Sequence, residues 1–176
     1  MTTDAATGQT YQELNRLYNI FCTTNLNVRY YGSRAESFES RERRLQIAVA
    51  ALSAAALVIL LATGAEPARW FCAGLAGMAT LLASIDPFLG WKEKAREMHF
   101  LHRAHGQLCT QIEATMTKIR RSGGITDELT GASKMVHDTF ERLQALDEAH
   151  PDASLINRLD QQVRSAFPPD YIWTNL

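Results

Sequence analysis

The chain is poor in the features that carry catalysis or covalent cross-linking. Its three cysteines, Cys22, Cys72 and Cys109, lie far apart and form no Cys-x-x-Cys pair. An odd, scattered set excludes a disulfide framework and a zinc ribbon and fits a reducing compartment. No P-loop, dinucleotide-binding glycine turn, nucleophile elbow or metalloprotease helix is present. Gly123-Gly124 follows Arg121-Ser122 as a helix stop, not as a phosphate cradle. No enzyme is therefore expected, with no catalytic residue, cofactor or metal. No strand-type alternation and no internal repeat occurs either. The first ten residues, MTTDAATGQT, have neither a basic nor an apolar region, so no cleavable signal peptide is expected there. Charge of one sign is also lacking: 18 Lys and Arg against 19 Asp and Glu leave a net charge of -1. Such a balance gives no global attraction to nucleic acid, and none is expected as a partner.

What is present is helical periodicity. Residues 1–10 read as a disordered N-terminus and 11–45 as one amphipathic cytoplasmic helix. With Leu14 as heptad position a, the a series is Leu14, Phe21, Val28, Ala35 and Glu42, and the d series is Leu17, Thr24, Tyr31, Phe38 and Leu45. Eight of these ten are apolar or aromatic, while Thr24, Glu42 and an intervening Gly32 depart from the pattern. The character then changes. Ile47 to Thr63 is seventeen residues without a charge, and Trp70 to Leu89 is twenty, interrupted only by Asp86-Pro87. At 1.5 Å per residue these runs span roughly 26–30 Å, about the thickness of a bilayer's hydrocarbon core. A breaker-rich segment, Gly64 to Arg69, joins them. Trp70 and Phe71 at one end of the second run, with Phe88 and Trp91 at the other, suit the headgroup level. The expected architecture is all-α, with a two-helix transmembrane hairpin over 46–90 and a cytoplasmic helical region over 91–176.

Orientation follows from flanking charge. Arg29, Arg34, Arg41, Arg43 and Arg44 precede the hairpin and Lys92, Lys94, Arg96 and Arg103 follow it, against Arg69 alone in the connection. Both termini are expected in the cytoplasm, anchored by Arg41, Arg43, Arg44, Lys92 and Lys94. Beyond the hairpin the second membrane helix is expected to continue. Its a positions are Trp91, Met98, His105, Ile112 and Ile119, with Leu101 and Leu108 at d. Thr126 is the expected N-cap of the next helix, which buries Leu129, Val136, Phe140 and Leu143. Pro151 opens a last helix carrying Leu155, Leu159 and Val163 on one face.

Three groups of residues are candidates for function. Ala73, Gly77, Thr80 and Ser84 share one face of the second membrane helix, and Ala48, Ala51, Ala55 and Ala62 share one of the first. Small residues let helix backbones approach, and hydroxyls supply interhelical hydrogen bonds. The face serves either packing within the hairpin or, through Thr80 and Ser84, the lining of a pore. Asp86 is the one ionisable residue in either run; it is a pore or gating group or a headgroup-level acid. His99, His102 and His105, with Cys109 one turn on, fan across one side of a helix. One helix seldom closes a metal shell, and a buried, hydrogen-bonded His105 is the simpler reading.

The segment Asn27-Val28-Arg29-Tyr30-Tyr31-Gly32-Ser33-Arg34-Ala35, running into two closely spaced membrane helices and then cytoplasmic helices, resembles the SLATT family. These are two-transmembrane effector domains of bacterial conflict systems. The resemblance covers roughly residues 11 to 120. It implies an antiphage effector that oligomerises in the bacterial inner membrane and breaches it when triggered, causing growth arrest or cell death. The implied partners are the lipid bilayer, further copies of the chain, and an activating partner or nucleotide signal from a neighbouring gene. No ligand-binding residue carries over. The alternatives are a membrane-anchored adaptor that docks a partner enzyme, and a soluble helical bundle.

Overall fold

The computed structural model describes residues 2–63, 66–122 and 126–168, and every regular element among them is a helix. In chain order these are α1 (Thr2–Thr63), α2 (Glu66–Leu89), α3 (Trp91–Ser122), α4 (Asp127–Gln144) and α5 (Ala153–Ala166). The expected all-α fold is observed. Gly64-Ala65, Gly123-Gly124 and the Tyr171-Ile172-Trp173 tail lie outside the described residues.

The chain divides into two compact units, residues 1–33 with 98–176, and residues 34–97. In the first, the N-terminal half of α1 packs with most of α3 and with α4 and α5. Leu14, Leu17 and Phe21 of α1, Leu108, Ile112, Met116 and Ile119 of α3, and Leu129, Val136, Phe140 and Leu143 of α4 form one apolar cluster. Apart from Met116, these are heptad positions expected of α1 and α3, together with the four α4 residues the pattern singled out. Thr126 caps α4, its side chain accepting from the Leu129 N–H. α5 is capped by Asp152 and buries Leu159 and Val163, with Leu155 half-buried. The Tyr18 hydroxyl donates to the Phe167 carbonyl at 2.7 Å, and the rings of Phe21 and Phe167 meet edge-on at 5.0 Å. Thr24 is tolerated at its d position because its buried hydroxyl donates to the Ile20 carbonyl at 2.7 Å.

The second unit is the hairpin. Along residues 45–61 of α1 the residues with reduced exposure are Leu45, Val49, Leu52, Ala56 and Ile59, and along the described side chains of α2 they are Cys72, Leu75, Ala79, Leu82, Asp86 and Leu89. Both sets repeat every three or four residues, as along a single helix–helix seam.

Three expectations need correcting. Residues 2–10 are helical, because Ala5, Ala6 and Gln9 favour helix and α1 is already held by Leu14 and Leu17. No break occurs near residue 45, where only polarity changes along one uninterrupted α1. The second membrane helix does not continue into the next: Gly90, at φ 58°, ends α2, and its carbonyl accepts from Lys94 N–H at 3.0 Å to start α3. A side chain at Gly90 would meet nothing within 4 Å, so substitution there strains the backbone alone. Gly90→Ala is expected to cost about 1–2 kcal/mol, read as a lower thermal midpoint of the full chain; an unchanged midpoint would rule out a left-handed joint.

Candidate functional site

The hairpin surface is built from the residues that the seam leaves uncovered. Two helices are long and apolar enough to cross a membrane, and only 6% and 11% of their most apolar windows are buried. A core helix of a soluble protein would be mostly buried instead. Leu57, Val58 and Leu61 on α1 and Trp70, Phe71 and Phe88 on α2 are all more than half exposed. The aromatic residues expected at the headgroup level therefore stand outward, apart from a half-buried Trp91.

The small-residue face lies on that outer surface. Ala73, Gly77, Thr80 and Ser84 are all exposed, as are Ala48, Ala51 and Ala55; the Ala62 side chain is outside the described residues. Packing within the hairpin is thus not their role, since the seam uses Cys72, Leu75, Ala79 and Leu82. At 100° per residue the two faces are on opposite sides of α2, and half-buried Asp86 belongs to the seam. The structure therefore gathers four of the five candidates and separates Asp86 from them. Among the described residues these hydroxyls bond within their own helices and not across the hairpin. Thr80 donates to the Ala76 carbonyl at 2.9 Å, Ser84 to Thr80 at 2.8 Å, and Ser53 of α1 to Val49 at 2.9 Å. Each donor is satisfied inside its own helix, which removes most of the cost of facing lipid. Arg41, Arg43, Arg44, Lys92 and Lys94 are all exposed at the other end of the unit.

The helical bundle contains a polar knot that the sequence pattern did not reveal. His105 is fully buried on α3, and its Nε2 lies 3.1 Å from Asp147 Oδ1 in the α4–α5 connection. The Tyr31 hydroxyl donates to the same oxygen at 2.7 Å, and Asn27 donates to Oδ2 at 3.2 Å. Tyr31 stacks on the His105 ring, with centroids 5.6 Å apart, and accepts from the Glu148 N–H at 3.2 Å. Beside it, Tyr30 donates to the Glu148 carboxylate at 2.5 Å and accepts from the Asp152 N–H at 3.0 Å. Two adjacent tyrosines of α1 thus tie down the connection between α4 and α5. His102 takes another direction: its Nδ1 meets the Val28 carbonyl at 2.8 Å. A Cβ on Gly32 would approach that nitrogen to 3.2 Å, so the glycine admits the ring. The histidine fan is therefore split between two sets of partners. Among the described residues no group of three metal-ligating side chains converges.

Electrostatics keep protons on this unit. Burial, then donation to Asp147, raises Tyr31 above its ordinary value. Burial first, then the Glu113 charge, pushes the Cys109 thiol up to about 12 from 9.0. Burial likewise raises Cys22. All three cysteines are free thiols. Scans against family models, curated proteins and solved structures give no match.

Two outcomes are expected. Tyr31→Phe removes the bonds to Asp147 and the Glu148 N–H, costing about 1–3 kcal/mol and speeding hydrogen exchange at the Glu148 amide; unchanged exchange would sink the clamp. The raised groups hold their protons longer when folded, so their stabilisation is intact below pH 9.0, the ordinary thiol value, and fades as pH climbs toward about 12. Alkaline melting curves should flatten over that window in Cys109→Ala.

Proposed function

We propose that the chain is a membrane effector of a bacterial antiphage defence system. It crosses the inner membrane twice with both termini cytoplasmic, assembles with further copies, and permeabilises the bilayer when triggered, causing growth arrest or death. The observation that supports this most is the wide apolar surface of the hairpin, whose hydroxyls are already satisfied within their own helices. Such a surface belongs in lipid or against other copies. The likeness of the 27–35 segment and the helix order to the SLATT family supplies the effector role, and the excess of basic residues flanking the hairpin supplies the topology.

The mechanism rests on α1 and α3, whose chains run from one unit into the other. An activating partner or nucleotide signal repacks the helical bundle. The continuous helices carry that change to the hairpin, where the face of Ala73, Gly77, Thr80 and Ser84 meets its counterparts. A differential of a few kcal/mol between resting and open packings is enough to move such an equilibrium.

Gly77 tests the assembly cleanly, because a side chain added there meets nothing within 4 Å inside the chain. Gly77→Leu should leave folding intact yet reduce oligomer size and abolish dye influx on induced expression. Unchanged influx would remove this face from the mechanism. Wild-type protein should also stay in the membrane pellet after carbonate extraction; release into the supernatant would refute the membrane reading itself. Membrane-bound protein with silent expression would instead assign the hairpin to an adaptor's anchor.

A further inference from the structure

We propose that the charged flank of the hairpin is the surface on which two copies of this chain pair about a twofold axis. The acidic groove of α1 seats on Lys92 and Arg96 of the partner subunit, with Glu36 against Arg96 of the partner subunit as the central contact. The inference rests on the assembly stated above and names the surface and the symmetry that begin it. Glu36, Glu39, Ser40, Glu42, Arg43 and Gln46 line an open groove of about 510 Å³ along α1. Glu42 accepts from Gln46 at 3.0 Å. Glu36 is exposed in that groove, and Lys92 and Arg96 are exposed on α3. Among the described residues, Glu36, Lys92 and Arg96 form no ion pair within the chain.

Helical geometry puts both charge sets on one side. As α1 advances from Val28 to Phe38, its contacts on α3 retreat from His102 to Lys94, so the two helices run antiparallel. In an antiparallel pair, equal rotation from the line of contact leads to the same side of both helices. Counting about 100° per residue from buried Phe38, Arg34 and Arg41 fall near roughly −40° and −60°. Glu39, Arg43 and Glu36 fall the other way, at roughly +100° to +160°. From buried Ala95 on α3, Lys94 falls near about −100°, and Lys92 and Arg96 near about +60° and +100°. Arg34, Arg41 and Lys94, all in the negative sense, do gather on one ring, that of Phe38. The positive sense therefore sets the acidic groove and the Lys92–Arg96 stripe side by side. Height agrees as well: with Phe38 beside Lys94, Glu36 is level with Arg96, and Ser40 of the groove is level with Lys92. Both charge sets lie well round from the line of contact, so within one chain they diverge.

A face of this kind selects a copy of itself. It presents acid from one helix and base from the other at one height. A wholly acidic or wholly basic partner meets repulsion over half of it. A half-turn about the long direction of the helices brings acid opposite base twice and leaves every height unchanged. A head-to-tail ring needs the two charge sets on opposite sides of the subunit, and here they share one. Exposed ion pairs are individually weak, so these charges fix partner and register more than strength. Strength comes from the apolar residues beyond them. The same side of α1 continues through Ala50 and Ala54 to Leu57 and Leu61, all exposed.

The test expresses tagged and untagged copies of the full-length protein together and measures their co-purification from a mild-detergent extract. Wild-type copies should co-purify, and native mass spectrometry should count an even number of chains. No co-purification, or an odd number, would overturn the twofold pairing. Glu36→Lys in both copies, or Arg96→Glu in both, sets like charges together twice and should cut recovery of the untagged copy roughly tenfold. A tagged Glu36→Lys copy with an untagged Arg96→Glu copy has opposite charges at both contacts again. Recovery should then return to near the wild-type level, a rescue that two misfolded variants could not give. Recovery unaffected by either variant alone, or still lost in the mixture, would overturn the contact. Carbonate extraction reports on the membrane separately. If the protein is released to the supernatant, the membrane reading fails, and the same co-purification without detergent still decides the pairing.

Discussion

Two helices in contact cover one strip of each other's surface and leave the remainder to their surroundings. In most proteins that remainder is polar, and water receives it. Here both helices of the hairpin are apolar around their circumference, and the strip they share is narrow: Val49, Leu52, Ala56 and Ile59 on one side, Cys72, Leu75, Ala79 and Leu82 on the other. Leucine, valine and aromatic side chains stand exposed along the rest. At about 25 cal/mol per Å² such area is expensive in water, so the unit demands a second, non-aqueous covering. The all-α fold, the basic flanks and the aromatic ends are consistent with that demand.

The helical bundle obeys the opposite rule. Its apolar surface closes on itself through α1, α3, α4 and α5, and what limits it is the polar connection between α4 and α5. A connection with free N–H groups and carboxylates beside a buried histidine would be costly unless each group found a partner. Tyr30 and Tyr31 supply those partners from a helix more than a hundred residues away in sequence. Asp147 gathers bonds from Tyr31, Asn27 and His105 together. The segment that carries the family resemblance thus has a physical task of its own.

How legible this was depended on contrast. Heptad positions on α1 and α3 and the buried face of α4 could be read directly, because polar residues between them marked the period. Thr126 was readable as a cap for the same local reason. On the apolar runs no polar face marks a period, so residue size was the guide, and it picked the outer face instead of the seam. Asp86 stood out as the one ionisable residue in either run, and its helical angle places it on the seam, opposite that face. Gly32 looked like a flaw in a repeat; only the fold shows the His102 ring against it. The Tyr31–Asp147 bond joins residues on different elements, and no local pattern encodes it. Gly90 was visible, yet its left-handed conformation depends on how α3 starts.

The hydroxyls of the small-residue face connect these strands of reasoning. A serine or threonine exposed to lipid needs its donor occupied, and Thr80, Ser84 and Ser53 meet that need through carbonyls one turn back. The same geometry leaves each oxygen with acceptor capacity facing outward. In a lipid-facing state that capacity is idle and costs little. In an assembled state it can receive hydrogen bonds from water or from a neighbouring copy without any rotamer change. A face able to meet two solvents with one set of side-chain conformations lowers the barrier between them. For the membrane effector proposed above, conversion between closed and open assemblies would then reduce to helix placement.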